Sequence, residues 1–201
     1  MNTMKKVSLL IIFLALSQMA LTQDKSQKCG TWRWDVKTLT DNAGLALLTA
    51  VPGPSTIDAL VVEKPPKVLK ESSIADGKLP RYPSENKVVE ITAYVTEVKN
   101  ETDDRDLHFV LKSPTSSSTM VGEIPDPTCP NFAAFVPIKT HFEKTRADGT
   151  TIWNKLKSSK KPVKVKITGV PFWDGVHATA PSGASPYFRE IHPILSIEIV
   201  N

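Results

Sequence analysis

Glycine is scarce in this chain, and so are cysteine and long apolar runs: 201 residues hold nine glycines and two cysteines. No phosphate-cradling glycine pattern, CxxC pair, HExxH or GxSxG elbow occurs. Those absences remove the motif-defined nucleotide binders, zinc modules, HExxH proteases and α/β-hydrolase esterases. A strong excess of one charge is lacking too. Twenty-five basic residues face 21 acidic ones, for a formal net charge of +4, so nothing demands a polyanionic partner. Proline is plentiful, at 16 residues. That many breakers points to short strands and loops rather than a helical bundle.

The longest apolar run is residues 7–16, preceded by Lys5 and Lys6 and followed by Ser17, Ala20 and Thr22. It is too short to cross a bilayer comfortably and has the layout of a secretory signal peptide. Residues 1–23 are therefore expected to be a leader, cleaved near Thr22 or Gln23. A secreted or periplasmic product without stable membrane insertion follows. Loss of the leader takes two lysines and no acid, so half of the positive excess goes with it. Cys29 and Cys129 are expected to pair in an oxidising compartment; free thiols, or metal ligation by Cys129, are the alternative. Closing a loop of about 100 residues contributes at most ~4–5 kcal/mol in the chain-entropy view.

Residues 24–86 read as an arm and linker. Trp32, Trp34 and Val36 alternate with Arg33, Asp35 and Lys37, a strand-like period that would dock two tryptophans on the main domain. Thr40 or Asp41 suits the cap of a short helix, and Ser55 the cap of another turn. Residues 63–85, rich in proline, lysine and serine, read as a surface connection.

From residue 87 the pattern is β. Val89, Ile91, Ala93 and Val95 share one face, while Val98 falls off parity, so a bulge is expected near Thr96-Glu97. Leu107, Phe109 and Leu111 point inward on a second strand. Met120, Gly122 and Ile124 do so on a third, with Glu123 opposite. Pro137 suits a helix start, Ile138 and Phe142 form its apolar pair, and Asp148-Gly149 reads as its end. Residues 155–161 read as a basic loop. Strands with Val163, Val165 and Ile167, then Leu195, Ile197 and Ile199, complete the chain. The expected fold is mainly β: an OB-fold-like five-stranded barrel over residues 87–201, with one helix between strands three and four, plus an N-terminal arm with short helices.

Five segments carry a resemblance: WDVKTLTD (34–41), DLHFVL (106–111), EIPDPTC (123–129), TGVPFWD (168–174) and EIHPIL (190–195). Together they resemble uncharacterised bacterial exported proteins with an OB-fold-like domain. The resemblance covers the arm and most of residues 88–200. It implies an exported or envelope-associated protein and transfers no catalytic residue. The staphylococcal-nuclease group shares the barrel type, but its arginine-plus-paired-acid pattern is not present.

Asp106 and His108 stand two apart on a strand, hence on one face, and so do Glu190 and His192. With Asp174 and His177 from the loop before the last strand, they form a candidate polar or metal cluster. Imidazole and carboxylate donors suit a divalent metal such as zinc or manganese. The same pairs also serve as hydrogen-bonded struts, and the missing metal spacing favours that plainer role. No motif calls for a cofactor. His141 reads as surface. Lys112, Lys164, Lys166 and Trp173 mark a candidate ligand face. The expected function is an exported OB-fold-like binding module, monomeric, for an oligosaccharide, nucleic acid or protein. The alternative is a metal-assisted hydrolase, such as a phosphodiesterase or nuclease.

Overall fold

The computed structural model describes residues 29–200, so the leader assigned to residues 1–23 lies outside it. Five strands form the barrel: β2 (Val89–Asn100), β3 (Leu107–Lys112), β4 (Thr119–Ile124), β5 (Val163–Trp173) and β6 (Arg189–Ile199). A short strand, β1 (Gly53–Pro54), adds to β2 in parallel. The order is β2-β3-β4-β6-β5, and β5 pairs back to β2, which closes the sheet. Only β4 and β6 run parallel within the barrel; its other neighbours are antiparallel. With α4 (Val136–Ser159) between β4 and β5, this is the OB-fold layout expected from the sequence.

The expected bulge is present. The register of β2 against β3 slips between Val95 and Glu97. The slip lets one bent strand serve two neighbours: its first half pairs with β5 and its second with β3. Inward alternation then fills the barrel with Ile91, Ala93, Val95, Phe109, Leu111, Met120, Val165 and Ile167, each almost wholly buried.

Several local readings are corrected. Helix α4 does not stop at Gly149 but runs to Ser159 and takes up most of the supposed basic loop. Gly149 faces the barrel, where a Cβ would lie 2.8 Å from Ile124 and 2.9 Å from Phe109. It is a close-approach glycine, not a stop signal. His141 is not idle surface, because its Nε2 lies 2.7 Å from the carbonyl of Leu195 and ties α4 to β6.

The arm also differs. Residues 34–37 are helical (α1, Trp34–Lys37), not a strand. Arg33, in the left-handed region at φ 45°, turns the chain into that helix. Three alternating apolar positions are too few to decide between periods. The helix α2 (Gly44–Leu48) follows, and α3 (Ile57–Val61) is capped by Thr56, which accepts from Ala59 N–H at 3.1 Å, rather than by Ser55. Leu39, Leu47, Ile57, Leu60 and Val61 join the same hydrophobic cluster as the barrel residues. The connection over residues 63–85 runs over the surface as expected, but Leu69, Asp76 and Glu85 are buried and anchor it. Cys29 and Cys129 form the expected disulfide, with Cα atoms 5.9 Å apart. Among the described residues, no helix is long and apolar enough to cross a membrane.

Candidate functional site

The arm closes over the barrel through one buried ion pair. Arg33 Nη1 and Nη2 donate to Glu85 at 2.8 and 2.6 Å. The remaining guanidinium hydrogens reach the carbonyls of Trp173, Pro80 and Leu79. Glu85 also accepts the N–H groups of Trp173 and Tyr82. This clamp brings α1, and with it Lys37, against the ends of β5 and β6.

There the six candidate residues meet. His192 on β6 has Nε2 3.1 Å from Asp106 and Nδ1 2.9 Å from Glu123 and 3.8 Å from Glu190. His108 on β3 has Nδ1 2.9 Å from Glu123, while Nε2 lies 3.1 Å from the carbonyl of Ser182. His177 sits between Asp174 at 2.6 Å and Glu71 at 2.8 Å. Lys37 Nζ lies 3.6 Å from Asp174 and 3.9 Å from Asp104. The expected gathering of Asp106, His108, Asp174, His177, Glu190 and His192 is thus observed, and all but His177 are buried.

Glu123 stands between His108 and His192 and adds a seventh member to the six residues expected from the sequence. A signal existed. Pairing Lys112 with Thr119 across the 113–118 loop and counting back sets His108 opposite Glu123, which is the observed register. Lys37 carried no such signal, because its segment was assigned the wrong period.

Electrostatics here are tense. Burial, then the nearby Asp106 and Glu123 charges, raise Asp104 to about 7. Burial, then Asp174, raise Glu190 to about 7. Burial and Lys37 oppose a charged His192, yet the close carboxylates overrule both and hold its pKa well above the ordinary value. Asp174 chiefly raises His177 to about 9. Pushing the pKa values of packed carboxyls and imidazoles apart is how active sites assign acid and base roles, and structural ion-pair networks produce the same divergence. Three non-glycine residues in the left-handed region flank the site, Arg33, Arg105 and Phe188. Each costs on the order of 1–2 kcal/mol.

The cluster floors a cleft of about 340 Å³ between the 101–106 and 174–188 loops. In OB barrels these loops, with strands two and three, frame the ligand. Seven carboxyl groups line it, against the ammonium groups of Lys37 and Lys99 and the imidazoles of His108 and His177. Trp32 forms part of one wall, and its Nε1 is buried without a partner. A second, more apolar groove of about 770 Å³ continues from it and shares Thr31, Trp32, Glu71 and His177.

The expected ligand face lies elsewhere. Lys112, Lys164 and Lys166 do not line the cleft, and Lys166 pairs with Glu198 at 2.8 Å. Outward parity alone does not tell which sector of a barrel a strand position occupies. Trp173 is buried, with Nε1 donating to Ser84 at 3.0 Å and the Arg189 guanidinium 4.1 Å above its ring.

Two residue groups have metal-ligating geometry: Asp106, Glu123 and His192, and Glu101, His108 and Glu123. In each, one donor atom per residue lies within 4.8 Å of the others.

No family model and no curated protein matches the chain. Among solved structures it is similar to aspartyl tRNA synthetase from Entamoeba histolytica, at 16% identity and a TM-score of 0.30. The likeness covers 76% of this chain and 26% of that one. The fold assignment here rests on strand order and pairing, not on that likeness.

Proposed function

We propose that the protein is an OB-fold binding module whose ligand lies in the cleft between the 101–106 and 174–188 loops and is an oligosaccharide. The observation that supports this most is the lining of that cleft. Its excess of carboxylates repels phosphates and supplies acceptors for hydroxyl donors, with charge-assisted hydrogen bonds the strong kind. Trp32 offers an aromatic wall. The adjoining groove gives room for more than one sugar unit. Export of the chain, expected from residues 1–23, accords with a glycan partner.

Tryptophan fluorescence titrations with a panel of neutral oligosaccharides, and with single-stranded dT oligonucleotide at low salt, test the reading. Saturable binding of a neutral oligosaccharide, lost in Trp32→Ala, is expected. Tight oligonucleotide binding with no sugar response would overturn it.

A hydrolase is the second reading, favoured by Asp104 and Glu190. Carboxyls at about 7 beside ionised carboxylates form the pattern of a proton donor beside a base. Turnover of p-nitrophenyl glycosides or of bis-p-nitrophenyl phosphate, abolished in Glu190→Gln, would establish it. Absence of both would leave binding alone.

A further inference from the structure

We infer that a divalent transition-metal ion, zinc or manganese, is held beneath the cleft by Asp106, Glu123 and His192. This deepens the binding reading above and rests on it for the purpose of the ion, since Glu123 also lines the cleft.

Two observations carry the inference. First, the donor atoms of Asp106, Glu123 and His192 lie within 4.8 Å of one another, and all three residues are buried. Second, the buried atoms meet one another only by close approach, without aligned hydrogen bonds. Both oxygens of Asp106, Oε2 of Glu190 and both ring nitrogens of His192 have no aligned hydrogen bond. The nitrogens lie 3.1 and 2.9 Å from carboxylate oxygens, but off the N–H directions. Buried polar groups are otherwise almost always partnered.

The other geometric group, Glu101, His108 and Glu123, differs on this point. Glu101 already holds the Lys99 ammonium at 2.8 Å, and His108 is anchored by Ser182. Its side chains are already partnered. Mixed oxygen and nitrogen donors of the buried group suit zinc or manganese rather than a soft, thiolate-seeking ion.

The test uses the purified full mature chain, stripped with chelator and titrated with zinc or manganese chloride. Calorimetry and elemental analysis after desalting should give one equivalent, and cobalt loading should give a ligand-field spectrum. Glu123→Gln should lose at least tenfold in affinity, and Asp106→Asn should lose about 10–100-fold. The second variant guards against misfolding of the first. Uptake well below one equivalent by wild type, or equal uptake by both folded variants, overturns the site. Oligosaccharide titration of the metal-free protein separates the two claims: binding there with no metal uptake sinks the ion and spares the module.

Discussion

Two buried charge clusters sit side by side, and they are built differently. In the Arg33–Glu85 clamp every guanidinium N–H has an acceptor and the carboxylate takes four donors. In the neighbouring cluster, Asp106, Glu190 and His192 are as deeply buried, yet five of their side-chain atoms have no aligned partner. The clamp is complete as the chain folds. The second cluster is the one that we propose a bound ion completes. Burial alone therefore does not tell a strut from a site; satisfaction does.

Breaking the clamp has the largest expected effect. Glu85→Ala leaves a buried guanidinium unpaired and should cost about 3–5 kcal/mol, read from urea denaturation. A loss below about 1 kcal/mol would erase the contrast between the clusters. Opening the Cys29–Cys129 bridge by a double serine substitution comes next, at about 2–4 kcal/mol. Intact mass without reductant should show both thiol hydrogens missing. Glu190→Gln should change stability by no more than about 1 kcal/mol, because it relieves crowding against Asp174 and Glu123. The same change should abolish ligand capture in the cleft.

The smallest effect is a pH response of the 174–188 loop. His177 is raised to about 9, chiefly by its bond to Asp174. A raised folded value means the contact contributes fully below the ordinary histidine pKa of about 6.5 and is lost as pH rises through the folded value. Amide exchange in the loop, corrected for intrinsic rates, should quicken between about pH 8 and 10. His177→Asn should show no such step.

Barrel order, bulge and most of the cluster were legible because period two and proline punctuation report local geometry directly, and the disulfide because the chain's two cysteines have only each other. The six candidates converged because β3, β4 and β6 are neighbours in an OB barrel. Arg33 and Glu85 were not legible. They stand 52 residues apart in segments without periodicity, and only tertiary closure pairs them. Gly149 was misread for a related reason: a glycine that admits a barrel and one that ends a helix look the same in one dimension. Lys37 followed the error in α1.

The most direct test of the central claim neutralises the whole second cluster at once. Asp106→Asn, Glu123→Gln, Glu190→Gln and His192→Gln would be combined, leaving Lys37 its partner Asp174. Thermal melting in chelator then compares this protein with wild type and with Glu85→Ala. A melting temperature at or above wild type, with cleft binding gone, is expected of a cluster that serves a ligand. A fall as large as that of Glu85→Ala would show that the cluster is another strut and contradict the claim.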